Sequence, residues 1–167
     1  MKAASFFVEN QAADQLDTHE DMNAKESAQV IIQHVTYGLE LARKYRLPKR
    51  IRDFIPEHHG TLVARYQYSQ AVEEADGDES AVDIADFRYP GPRPQSVETG
   101  LVMLADGCEA YVRSQSPENE EALRALISEM VEKRVQSGQL DETGFTLAQI
   151  QMVIDSFTAT LKGTYHA

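Results

Sequence analysis

The chain has 167 residues, 42% of them hydrophobic, and a formal net charge of -11. This length favours one globular domain with a buried core, so residues 1–167 are expected to form a single domain. The acidic charge argues against nucleic-acid binding, which depends on Lys and Arg to neutralise phosphates. No apolar run approaches the roughly 20 residues of a membrane span. The single cysteine, Cys108, excludes an internal disulfide and favours a cytosolic location.

Apolar residues recur at helical spacing along most of the chain, and no stretch shows the sustained alternation of a strand. We therefore predict an all-α fold. Residues 1–22 form an irregular N-terminal segment in this interpretation. Asn23 and Glu26 then predict a capping box for a helix that runs to about Arg46.

Proline residues mark the next elements. Pro48 suits the first turn of a second helix, which Pro56 should kink or end just before His58. A third helix is expected over about 61–74. Residues 75–95 are predicted to be an acidic loop followed by a stiff proline-rich loop.

Three more helices are predicted in the remainder of the chain. Ser96 with Thr99 begins the fourth helix, and Pro117 opens the fifth. Gly138 fits the position just after the end of the fifth helix. A capping box over residues 146–149 begins the last helix.

The adjacent histidines His58 and His59 are candidate metal ligands at the end of a helix. Consecutive helical residues point about 100° apart, so the pair suits two neighbouring ions, or one ion and a substrate. That geometry favours a binuclear site. A polar helix end, with the imidazoles bonded to the last carbonyls and Gly60 as the helix stop, explains the same residues without a metal.

His34 and Asp106 are further candidates, each with a structural alternative. His34 lies at the edge of an apolar face, where a lone helical histidine is more often a hydrogen-bonded core residue. Asp106 lies one turn from Val102 and Ala110, so its carboxylate is expected in apolar surroundings, where an unpaired charge is costly. It therefore needs a metal, an arginine or a helix cap as a partner.

Several segments, taken in order, carry a resemblance to a known family. They are His34 in Ile-Ile-Gln-His-Val, His58-His59-Gly60-Thr61, Phe87-Arg88-Tyr89-Pro90-Gly91-Pro92 and Leu104-Ala105-Asp106, with further matches at residues 6–11, 38–42, 94–99 and 138–142. This pattern resembles the HD-domain metal phosphohydrolases. More narrowly, it is similar to the seven-transmembrane HD receptors, whose cytosolic HD domain is a cyclic di-AMP phosphodiesterase. The resemblance covers nearly the whole chain.

The resemblance implies a single all-α HD-type domain with two divalent metal ions, commonly iron or manganese, that hydrolyse cyclic di-AMP to linear pApA. The implied metal ligands are His34, His58, His59 and Asp106. Arg88 would contact a phosphate or adenine, or make a structural salt bridge. Thr61 is a weaker candidate for substrate contact, with the start of the following helix as its structural alternative.

The sequence departs from the family pattern in one respect. The family carries an earlier histidine and a His-Asp dyad before the segment that matches residues 6–11, and this chain begins at about that segment. His19-Glu20-Asp21 matches a later family loop instead of the dyad. We therefore expect an N-terminally truncated domain with weak or no activity alone, and a homodimer or loosely packed edge where the missing helices would pack.

Two other functions stay open on the sequence: a catalytically degenerate HD scaffold that binds a nucleotide or protein, and an HD phosphohydrolase that acts on another nucleotide. The expected partner is a cyclic dinucleotide, without nucleic acid and without direct membrane contact by this chain. The family resemblance implies the cytosolic face of the bacterial inner membrane.

Overall fold

The computed structural model describes residues 22–165, with side chains through residue 163. The prediction of an irregular segment over residues 1–22 therefore lies outside the described residues, apart from Met22. Within the described part of the chain the regular structure is helical, and the only β-type pairing is an isolated bridge between Val63 and Arg88. The all-α prediction is confirmed. No helix in this part is long and apolar enough to cross a membrane.

The described residues form six α-helices and two short 3-10 helices. The α-helices are α1 (Ala24–Lys44), α2 (Lys49–Glu57), α3 (Arg65–Glu74), α4 (Val97–Gln115), α5 (Glu120–Gln136) and α6 (Leu147–Tyr165). The 3-10 helices, Glu79–Ala81 and Ile84–Phe87, lie in residues 75–95, which the sequence predicts to be an acidic loop followed by a proline-rich loop. Their first turns are capped by the preceding aspartates, which explains how so polar a segment becomes ordered.

The chain divides into two compact units, and the first contains residues 22–47 and 61–90 of the described part. Helix α1 packs against α3 and the second 3-10 helix in this unit. The contacts form a small core of Ala24, Ala28, Ala71 and Phe87, with Val63, Tyr68 and Val82 packed against it. Alanines let the backbones approach closely, and Phe87 fills the space between them.

The second unit contains residues 48–60 and 91–167, and four helices of it are described: α2, α4, α5 and α6. Helix α5 packs on both α4 and α6, and α2 packs on α4. Its largest fully buried side chains are Met103, Leu104, Val112, Leu123, Ile127 and Val131. Leu123, Ile127 and Val131 recur every four positions, and Leu104 and Val112 are eight positions apart, which is the helical apolar pattern seen in the sequence.

Most predicted helix ends are confirmed by hydrogen bonds. The Asn23 side chain accepts from the Glu26 amide, and the Glu26 side chain reaches back to the Asn23 amide. Ser96 caps α4, and the reciprocal bonds of a capping box join residues 146 and 149. Gly138 follows the end of α5 with a φ of 69°, as a residue at that position should.

Two predicted helix starts are wrong. Helix α3 begins at Arg65 and not near residue 61, because residues 62–64 are extended and bond to residues 87–89. Helix α5 begins after Asn119, whose side chain accepts from the Ala122 amide at 2.9 Å, and not at Pro117. Hydrogen bonds to residues 87–89 decide the start of α3, and a local hydrogen bond decides the start of α5. Apolar spacing detects neither kind of bond.

Candidate metal centre

The histidine pair follows the last turn of α2, as the sequence predicted. Pro56 lies in the final turn, and the helix ends at Glu57, one residue later. The half-buried His58 ring places Nδ1 2.7 Å from the carbonyl oxygen of Ile55. A carbonyl can only accept, so Nδ1 carries the proton, and the lone pair of the neutral imidazole is on Nε2. Histidines that bind metals are commonly oriented by such a bond from the other ring nitrogen.

His59 points toward helix α4. The two histidine rings have centroids 3.9 Å apart and planes inclined by 40°. Nδ1 of His59 lies 4.0 Å from Oδ2 of Asp106, and the His59 side chain is 14% exposed. This separation is too long for a hydrogen bond and is compatible with two ligands of one ion, which are about 3–4 Å apart when each is about 2.1 Å from the metal.

Asp106 is less buried than the sequence indicated. Its side chain is 41% exposed. The expectation of apolar surroundings was based on Val102 and Ala110, but both of these residues are themselves exposed on α4. The apolar face of α4 is formed instead by Met103, Leu104, Cys108 and Val112. The expectation of an apolar environment is therefore wrong, although the proximity to His59 is observed.

His34 lies in the middle of α1. Its Nδ1 donates to the carbonyl oxygen of Ile31 at 2.6 Å, and its ring meets Tyr89 edge to face, with centroids 6.1 Å apart. The same reasoning as for His58 places the lone pair on Nε2. His34 belongs to the first unit, whereas His58, His59 and Asp106 belong to the second.

Two buried groups beside the histidine pair were missed by the sequence reasoning. Glu57 is only 5% exposed, and its carboxylate accepts from the Gln95 amide at 2.9 Å. Gln139 is 3% exposed, and its Oε1 lies 2.5 Å from where a Cβ on Gly60 would be. Two features of the sequence point to these groups: Glu57 directly precedes His58, and Gln139 lies in segment 138–142, which carries part of the family resemblance.

Arg88 makes a hydrogen bond in place of the salt bridge considered for it, and its contact with substrate stays a prediction. Its Nη1 donates to the backbone carbonyl oxygen of Thr61 at 2.7 Å, and Arg88 forms no salt bridge within the described residues. Thr61 does not start the following helix, which was its structural alternative, because α3 begins at Arg65. The bond between Arg88 and Thr61 holds the proline-rich loop to the segment that follows the histidines.

Comparison with known proteins identifies the family. A family model described as the HD domain matches residues 13–111. The chain belongs to the HD-domain family. Membership implies binding of divalent metal ions, and the placement of His58 and His59 beside Asp106 is consistent with it.

Relatives of this HD domain include two bacterial proteins. It is 40% identical over 162 residues to the uncharacterized protein slr0104 of Synechocystis sp., covering 96% of this chain and 20% of that protein. It is 34% identical over 167 residues to the cyclic-di-AMP phosphodiesterase PgpH of Bacillus subtilis, covering 99% of this chain and 23% of the relative. The chain thus spans about a fifth of the length of these curated relatives.

A solved structure supports the fold. The crystal structure of the Listeria monocytogenes phosphodiesterase PgpH HD domain in complex with cyclic-di-AMP matches with a TM-score of 0.86 and 32% identity. The match covers 98% of this chain and 73% of that chain. The predicted HD-type helical fold and the family resemblance are both confirmed.

Proposed function

We propose that this HD domain belongs to a metal-dependent phosphodiesterase that hydrolyses a cyclic dinucleotide, specifically cyclic di-AMP, to linear pApA. The observation that carries the proposal is the similarity in sequence and fold to the Listeria HD domain that was solved with cyclic-di-AMP. The placement of His58, His59 and Asp106 near one another supports the same reaction class.

The proposed metal ligands are His34, His58, His59 and Asp106, and the proposed ions are iron or manganese. Imidazole and carboxylate donors suit these metals. Divalent ions supply Lewis-acid stabilisation of the negative charge that develops on a phosphodiester during hydrolysis. They would also offset the net charge of -11, which otherwise repels an anionic substrate.

The chain's own groups orient these ligands. The Nδ1 protons of His34 and His58 are held by backbone carbonyls, which fixes both rings with Nε2 as the basic nitrogen. Glu57 ties the end of α2 to the amide of Gln95 and so limits movement of the histidine pair. We also propose that Arg88 and, less directly, Thr61 contact the substrate, because Arg88 is exposed and, among the described residues, is anchored through Nη1 to the Thr61 carbonyl.

A second candidate function is a binding scaffold without catalysis. The sequence contains no His-Asp dipeptide, so the family's dyad ligands are not supplied by these 167 residues. We therefore expect fewer than two tightly bound metals per chain and little hydrolysis of cyclic di-AMP by this chain alone. Location at the cytosolic face of a membrane, homodimer formation and the absence of nucleic-acid binding stay predictions from the resemblance and composition.

The test is metal analysis of purified wild-type, His58→Ala and His59→Ala proteins, together with hydrolysis of cyclic di-AMP in Mn²⁺. Both substitutions should lower metal content and any residual hydrolysis. His19→Ala is the control, because it removes a histidine outside the proposed ligand set. Unchanged metal content in His58→Ala and His59→Ala contradicts the ligand assignment, and two tight metals with full turnover in wild type contradict the incomplete site.

A further inference from the structure

Helix α5 carries a partly buried arginine, Arg134, whose Nε has no hydrogen-bond partner among the described residues. This Nε atom is buried, and the side chain forms no ion pair with any described residue. By contrast, Arg124 of the same helix is exposed and forms a salt bridge with Asp155 at 2.6 Å. Removing a charged group from water without an acceptor is costly, so the burial of Arg134 needs an explanation.

The guanidinium lies against the backbone of α4 next to a proposed metal ligand. A Cβ on Gly107 would be 3.2 Å from Nη2 and 3.7 Å from Cζ of Arg134, so glycine at this position admits the guanidinium. Gly107 directly follows Asp106 in the sequence. Burial lowers the pKa of Arg134, and the Coulombic effects of Cys108 and Asp106 oppose that shift. Arg134 thus places positive charge within electrostatic range of Asp106.

The chemistry of this position suits a phosphate. A guanidinium offers five N–H donors in a planar fork that matches two phosphate oxygens, and it stays charged when partly desolvated. Arg134 keeps some exposed surface, so a ligand can reach it. We propose that Arg134 binds a phosphate oxygen of the nucleotide substrate beside Asp106. This inference rests on the proposed function for the choice of nucleotide, but the phosphate contact itself can be tested separately.

The test is isothermal titration calorimetry of the full chain in Mn²⁺, with cyclic di-AMP in one arm and inorganic phosphate in the other. Arg134→Met should weaken binding of both ligands by about tenfold or more, because a charge-assisted bond is lost. Arg134→Lys should weaken binding less, since it keeps the charge and loses the fork. Arg124→Met is the matched control and should bind both ligands as wild type does.

A second variant guards against misfolding of Arg134→Met. Gly107→Ala keeps every charge and improves helix propensity, but its methyl group requires the guanidinium to shift by a few tenths of an ångström, so phosphate binding should weaken modestly while thermal stability is kept. If wild type binds phosphate but not cyclic di-AMP, and Arg134→Met loses phosphate binding, the result supports the phosphate site and rejects the proposed substrate. Undiminished phosphate binding in both Arg134→Met and Gly107→Ala, or no binding by wild type, overturns the inference.

Discussion

Substitution of Gly60 by alanine tests how the turn after the histidine pair is held. Gly60 has a φ of 52°, in the left-handed region, where a Cβ costs about 1–2 kcal/mol. The Cβ would also lie 2.5 Å from Oε1 of Gln139 and 2.8 Å from Cε of Met103. Both of these side chains are buried, so they cannot move into solvent, and overpacking of this kind costs about 1–3 kcal/mol. We expect Gly60→Ala to lose about 2–5 kcal/mol of unfolding free energy, as the sum of the two effects.

Gly144→Ala is the matched control in the same unit. Gly144 has a φ of 78° and no heavy atom within 4 Å of the added Cβ, so only the backbone cost of about 1–2 kcal/mol applies. Urea denaturation followed by circular dichroism measures both variants, and metal content measures the effect on the histidines. A difference between the two variants below about 0.5 kcal/mol refutes the steric reasoning, because the predicted contribution of the contacts is at least about 1 kcal/mol.

Two further predictions concern buried groups of the second unit. Glu57→Ala should lower the free energy of unfolding by about 1.5–3 kcal/mol in urea denaturation, because the Gln95 amide loses a charged acceptor. Glu57→Gln keeps an accepting oxygen and should lower it less. Equal losses in the two variants contradict this assignment. Cys108 is fully buried, and burial raises the pKa of its thiol from 9.0 to about 12, so iodoacetamide should label it at pH 8 only after denaturation. Since the folded-state pKa is the higher one, the neutral thiol stabilises the fold fully below pH 9, and this contribution is lost as pH rises toward 12. Rapid labelling of the native protein would show that α4 opens readily.

Most helices of this chain could be predicted from local sequence because most of their ends are specified locally. Asn23 with Glu26, and Ser96 with Thr99, place a side-chain acceptor and a backbone donor within one turn, so short-range chemistry fixes the boundary. Gly138 supplies a positive φ in the same local manner. The buried apolar stripes of α4 and α5 have helical spacing, which the sequence displays directly.

Several of the missed features depend on residues far apart in the chain. The extended segment before α3 bonds to residues 87–89, more than 20 positions away, so local propensity at Thr61 indicates a helix that does not form. The burial of Glu57 is likewise set by the Gln95 amide, 38 positions away. At Asp106 the sequence overestimates burial. Its apolar neighbours Val102 and Ala110 lie on an exposed side of α4, which spacing alone cannot identify.

The two interpretations of the histidine pair are compatible in this structure. The bond from His58 to the Ile55 carbonyl is what a polar helix end requires, since the last carbonyls of a helix lack intrahelical donors. His34 makes the same bond to the carbonyl three residues earlier, although it lies in mid-helix, where Ile31 already has a backbone donor. A helix-end explanation therefore accounts for His58 and not for His34. Orientation of both rings with Nε2 as the basic nitrogen accounts for both, and this shared geometry favours the metal-ligand role.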